Sequence, residues 1–296
     1  MKRRSLILML AAAPLTVRAE DKMPVMATFS ILADMVSEIG GDEISVASLV
    51  PVDADTHHFQ PKPSDLRKLQ TAQLLVINGL GLEGWMSRMV KTSGYAGPVV
   101  VATAGITPLK IADQRGRATT QTDPHAWQDL RNGIIYVRNL TAGLVKANPA
   151  RAEMYRARAD DYVRRIAETD QWIEQHLAAV PVEKRKVITS HDAFGYFGAR
   201  YRITFRGVAG IDTDAEPSAA DVAALVKQIK REGIKAVFVE NMTDPRLAQI
   251  VARESGAILG GTIYSDALSP PGGPADTYLK MFRHNVPLLV AAMQAN

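Results

Sequence analysis

The sequence predicts an α/β protein of two similar lobes, each built on a mainly four-stranded parallel sheet and joined by one long backbone helix. Three observations carry that expectation. Short β-branched runs alternate with longer amphipathic ones in both halves, the signature of βα units. Each half holds four such runs. A helical stretch of about 30 residues, with start and stop signals at its ends, lies between them.

In chain order, "MKRRSLILMLAAAPLTVRAED" opens with Lys2, Arg3 and Arg4, an apolar run from Leu6 to Leu15, and small residues Val17 and Ala19 at cleavage spacing. This reads as a secretory signal peptide over residues 1–19, because the run is too short for the roughly 20 residues that span a bilayer. Strands are expected at 25–29, 44–50, 73–78 and 98–103 in the first half, and at 186–190, 203–208, 235–240 and 257–263 in the second. The halves also echo each other: "LLVINGLGLEGW" and "VFVENMTDPRL" each run from an apolar strand through Asn78 or Asn241 towards a helix. Between them, Asn148 can cap, Pro149 suits the first helical position, and Pro181 lies past the end. At 1.5 Å per residue such a helix is a rod of roughly 45 Å, and a rod predicts little relative motion of the lobes. The expected division is an N-terminal lobe at 20–147, a connecting helix at 148–181 and a C-terminal lobe at 182–296. About 277 residues after the leader exceed the usual size of one core.

Composition narrows the classes of function. The leader holds Lys2, Arg3, Arg4 and Arg18 and no acid, so its removal takes the formal charge from +4 to zero. No basic patch argues for nucleic acid. With no cysteine there is no disulfide, no thiolate metal site and no lipidated cysteine. An exported chain of this kind is expected in the periplasm.

Chemistry points to the histidines, at 57, 58, 125, 176, 191 and 284. In open α/β sheets ligands bind beyond the carboxyl ends of the strands. His57 and His58 follow the second expected strand, His125 the fourth, and His191 the first of the second half, while Asp266 follows the last. Neighbouring side chains on extended backbone point opposite ways, so only one of His57 and His58 is expected to serve a given site. Three imidazoles and a carboxylate suit a divalent metal such as zinc, provided both lobes face one cleft. The bland alternatives are surface histidines, an Asp266 that only caps its turn, a structural His176 on the connecting helix, a polar His284 on the last helix, and Met35, Met86, Met89 and Met242 as core filler.

At these residues the chain resembles a known family. "VDADTHHFQPKPSDLRKLQTAQLLVINGLGLEGW", "TDPHAWQD", "SHDAFGYFGARY", "AEPSAADVAAL" and "GGTIYSDALS" follow in order over nearly all of the chain after the leader. Together they resemble the zinc and manganese solute-binding proteins of ABC importers, the cluster that includes the adhesin-like and treponemal zinc receptors. The resemblance implies a metal cleft between the lobes. It assigns as ligands His57, two residues after Asp55 in D-x-H-x-x-x-P, then His125 of "DPHAW", His191 opening the second lobe's first helix, and Asp266 of "YSD". The implied partners are a divalent metal ion and an ABC permease in the inner membrane, with the receptor itself a monomer. The family's "DPHxYEP" reads "DTHHFQP" here, and Gln60 in place of Glu removes a possible acceptor behind the site.

Manganese members of the family tend to carry Glu where this chain has His191, and imidazole suits zinc better than manganese. Zinc is the expected cargo and manganese the alternative. The His- and Asp-rich loop of many zinc members is here "KIADQRGRATTQ", with no histidine and one aspartate, Asp113, a departure that counts against zinc and against any part for the loop in gathering metal. Because imidazole must be neutral to bind, affinity is expected to fall below roughly pH 6. A zinc hydrolase would need an open coordination position and a base, and there is no H-E-x-x-H and no G-x-S-x-G around Ser190, so no enzyme is expected. A receptor for a metal chelate or corrinoid is the remaining alternative.

Overall fold

The computed structural model describes residues 22–112, 118–210, 213 and 217–296. The signal peptide and Asp113 lie outside the described residues, as do Ala215 and Glu216 of "AEPSAADVAAL".

The first sheet consists of β1 (Met23–Ala27), β2 (Ile44–Ser48), β3 (Leu74–Ile77) and β4 (Val99–Val101), all parallel, in the order β2-β1-β3-β4. Helices α1 (Ser30–Gly40), α2 (Pro63–Thr71) and α3 (Met86–Ser93) make the crossovers. The chain forms α1 because Ile31, Leu32, Met35, Val36 and Ile39 fall at helical spacing on one buried stripe. After β3 the chain turns through Gly79 and Gly81, both at positive φ. A side chain at Gly79 would also sit 2.7 Å from Val101, so no other residue fits where β3 leaves the sheet beside β4.

The second sheet contains β7 (Lys186–Thr189), β8 (Thr204–Gly207), β9 (Ala236–Glu240) and β10 (Ile258–Ile263), again parallel, in the order β10-β9-β7-β8. Read from the other edge, this is the order of the first sheet, with the second strand outermost, then the first, third and fourth. Helices α6 (Gly195–Tyr201), α7 (Ala219–Glu232), α8 (Arg246–Ser255) and α9 (Tyr278–Ala295) complete this half. All eight expected strands are present, shortened or shifted by one or two residues at their ends.

Between the sheets run α4 (Leu130–Ala147) and α5 (Ala152–Ala178). Asp129 caps α4 by accepting from the Arg131 N–H at 2.9 Å. The 27 residues of α5 measure about 40 Å. Tyr155, Ala159, Tyr162, Ile166, Thr169, Ile173 and Leu177 lie at three- and four-residue steps along its buried face. That face packs on α1, α4 and α9, and one apolar cluster runs from Val25 and Ile31 through Tyr162 and Ile173 to Val187 and Phe282. The helix is thus a wall of the core.

Two features depart from expectation. Pro149 opens a 3₁₀ turn over Pro149–Arg151, and the α-helix begins only at Ala152. The segment read as a plain loop before His125 contains an antiparallel pair, β5 (Lys110–Ala112) with β6 (Ala118–Thr122). At three residues β5, KIA, is too short to show an alternation, and the threonine-rich β6, ATTQT, carries no apolar one for a sequence pattern to detect. Among the described residues no helix is long and apolar enough to cross a membrane.

Candidate metal centre

His57, His125, His191 and Asp266, separated by up to 209 residues in sequence, meet in one cluster. Their nearest donor atoms all lie within 4.8 Å of one another. Asp266 Oδ2 is 3.1 Å from His57 Nε2, 3.2 Å from His191 Nε2 and 3.5 Å from His125 Nε2. His57 Nε2 is 3.2 Å from His125 Nε2. Donors about 2.0–2.1 Å from a tetrahedral ion stand roughly 3.3 Å apart, so these separations fit one first-row metal ion.

Each side chain is brought there by local physics. The loop after β2 turns at Asp55, whose Oδ1 accepts the His57 N–H at 2.7 Å, an Asx turn that rotates the next residues. Trp85 Nε1 donates to the Thr56 carbonyl at 2.9 Å and pins the same turn. His125 follows Asp123, whose Oδ1 accepts both the His125 backbone N–H at 2.9 Å and its Nδ1–H at 2.8 Å. That proton on Nδ1 leaves the Nε2 lone pair facing the cluster. His191 lies two residues beyond β7, where the β7–β9 register, Ile188 opposite Val237, carries forward to Glu240. Glu240 Oε1 accepts the His191 N–H at 2.9 Å, and its Oε2 stands 2.7 Å from Nδ1. Asp266 comes from the loop after β10 and is fully buried. Among the described residues its Oδ1 is buried without a hydrogen-bond partner. An unpaired buried neutral group costs about 1–3 kcal/mol and a charged one more, so a cation beside this atom would offset that cost.

The electrostatics agree. Burial pushes the Asp266 carboxyl up, but His125 and His191 outweigh it and hold the group well below the usual carboxylate range. Burial pulls the His125 imidazole down, while Asp266 and Asp123 raise it further, to about 9. His191 is likewise held well above its ordinary value: burial lowers it, and Glu240 and Asp266 prevail. His125, His191 and Asp266 are buried and His57 is partly exposed, which places the approach from solvent at His57.

The other sequence candidates separate cleanly. His58 is exposed and outside the cluster. His176 packs against Trp172, ring centroids 4.0 Å apart and planes tilted by 43°, and its Nδ1 lies 2.8 Å from that residue's carbonyl. His284 Nε2 lies 2.9 Å from the Thr262 carbonyl. Ser190 Oγ accepts from the Glu240 N–H at 3.2 Å and donates to the Phe238 carbonyl, so it serves the strand and not the His191 ring. Gln60 is exposed. The carboxylates behind the imidazoles are instead Asp123 and Glu240, which the sequence reading missed. Asp123 stands inside the quoted "TDPHAWQD", and Glu240 signals itself only as an acid ending a buried apolar strand.

Known proteins match this architecture. Residues 25–292 match the family model ZnuA, described as zinc-uptake complex component A, periplasmic. The manganese-binding lipoprotein MntA of Halalkalibacterium halodurans is 32% identical over 274 residues, 92% of this chain and 89% of that protein. The iron-binding protein YfeA of Yersinia pestis is 34% identical over 265 residues, 90% of this chain and 84% of that one. Among solved structures, the periplasmic zinc-binding protein TroA of Treponema pallidum aligns at TM-score 0.86 with 26% identity, covering 92% of this chain and 99% of that one. The Mn-bound periplasmic metal-binding protein from Candidatus Liberibacter asiaticus aligns at 0.82 with 28% identity, covering 92% of this chain and 100% of that one. The match across nearly the whole chain places this protein in the ZnuA family of periplasmic metal-binding components of uptake systems.

Proposed function

We propose that this member of the family takes zinc as its preferred cargo, holds it with His57, His125, His191 and Asp266, and hands it to an ABC-type permease in the inner membrane. The observation that carries the reading is the donor set: three imidazole nitrogens at one point, two of them backed by carboxylates, with a single carboxylate oxygen completing the group. Imidazole-rich sets favour zinc, whereas carboxylate-rich and higher-coordinate sets favour manganese. The relatives' names give manganese, iron and zinc, so the metal must be argued from the site. Manganese is the second reading, supported by Asp266 Oδ1, which can turn the carboxylate into a two-oxygen ligand.

The incoming ion exchanges water for the four side chains and displaces the protons on His125 and His191. Asp123 and Glu240 keep both rings oriented while their charge changes. Four protein donors close a tetrahedron and leave no seat for an activated water, which supports a receptor over a hydrolase. The permease meets the loaded protein in the periplasm. X-ray absorption at the zinc edge tests the site: three nitrogens and one oxygen at about 2.0–2.1 Å support it, and a shell of water oxygens overturns it.

A further inference from the structure

Asp266 follows the last strand of the second sheet, and the loop that presents it is held by its own half, where Asn241 Nδ2 donates to the Ala267 carbonyl at 3.2 Å, and also by the other lobe on both flanks of Asp266. On one side of Asp266, the Ser265 carbonyl accepts two hydrogen bonds, from Trp127 Nε1 at 2.9 Å and Gln128 Nε2 at 3.0 Å. On the other side, the Leu268 N–H donates to Ser30 Oγ at 2.9 Å, and the Leu268 carbonyl accepts from the Asp53 N–H at 3.2 Å. Ser30 opens α1 and Asp53 belongs to the loop that leads to His57. Trp127 and Gln128 lie in the 3₁₀ turn Ala126–Gln128 that directly follows His125.

We propose that Gln128, Trp127 and Ser30 are positioning residues that clamp the Asp266 loop onto the N-terminal lobe, so that His57, His125 and Asp266 form one preset block. His191 is then the ligand supplied from outside that block. The clamp rests on the metal-site reading above and deepens it. Its physics is that of a carbonyl held by two donors: Ser265, Trp127 and Gln128 are fully buried, so losing one donor leaves the carbonyl with a single partner and the loop freer to shift. Holding the backbone on both sides of Asp266 fixes where its carboxylate is presented relative to the imidazoles. The turn that directly follows His125 also holds the carbonyl next to Asp266, which couples the positions of the two side chains.

The test is a double-mutant cycle with zinc as the probe, titrated against a chromophoric chelator. Gln128→Met removes the donor at nearly constant shape, and Ser30→Ala is a smaller change on the opposite side that serves if the first variant does not fold. Each is made alone and together with Asp266→Ala. The clamp predicts about a tenfold loss of zinc affinity for Gln128→Met and a smaller one for Ser30→Ala. Neither should cost anything further once Asp266 is gone. Cobalt(II) spectra provide a second readout, in which Gln128→Met should change the visible bands in the direction that Asp266→Ala does. Equal losses with and without Asp266, unchanged affinity, or an unaltered cobalt spectrum overturn the clamp. Failure of the unsubstituted chain to bind zinc overturns the metal-site reading itself and the clamp with it, and is told apart from the other outcomes by that first titration.

Discussion

The two sheets wind in the same order, yet the two lobes furnish the site differently. The first lobe contributes His57 from the loop after its second strand and His125 from the segment after its hairpin. The second contributes His191 from just beyond its first strand and Asp266 from beyond its fourth. Even the carboxylates behind the rings are reached by different routes. Asp123 is two residues from His125 and acts through a local turn, whereas Glu240 is 49 residues from His191 and arrives through strand register. Shared winding thus sets where a cleft forms, at the carboxyl ends of the strands, and local turns and register decide what it contains.

The largest expected effects are at the donors themselves. His57→Ala, His125→Ala, His191→Ala and Asp266→Ala should each weaken zinc binding by more than about a hundredfold, beyond the ten- to hundredfold range of residues that only support ligands. Competition titration measures this, and a donor whose loss costs less than that is not part of the set. Next come the two supports. Asp123→Asn and Glu240→Gln should each cost about tenfold in affinity. A loss at one and none at the other would show that the local and long-range routes are not equivalent.

Protonation sharpens the same comparison. His125 is raised in the folded protein to about 9 from an ordinary value of 6.5, chiefly against burial by Asp266 and Asp123. Its contribution to the metal-free fold is therefore complete below about pH 6.5 and is lost as pH rises through about 9. Thermal melting of chelator-stripped protein should fall over that window. Zinc affinity should climb across it, because the ion must displace the proton. With His125 raised, the fall in affinity on acidification should begin above the pH 6 expected of an unperturbed imidazole. Flat melting from pH 6.5 to 9 would contradict the charge pairing. The smallest effects are two: His58→Ala should leave zinc affinity unchanged, and small-angle scattering should give nearly the same radius of gyration with and without metal. A large closure on binding would contradict the rod role of α5.

Much of this architecture was legible in the sequence because it is written in local pattern. The strands of both sheets show as β-branched runs, and the stripe of Tyr155, Tyr162, Ile166 and Ile173 shows as helical spacing. The four candidate ligands were reached through motif resemblance and through their places after strands. What was hidden depends on contacts between distant residues. Glu240 meets His191 only through pairing of β7 with β9, and the grip of Trp127 and Gln128 on Ser265 spans more than 130 residues. The β5–β6 pair escaped because neither KIA nor ATTQT carries an apolar alternation in its sequence.

The central claim is that one site of three imidazoles and one carboxylate selects zinc. The most direct measurement exposes purified, chelator-stripped protein to an equimolar mixture of zinc and manganese, removes free metal and counts each element per chain. One equivalent of zinc with negligible manganese is the predicted result. One equivalent of manganese, or no retained metal, would contradict it.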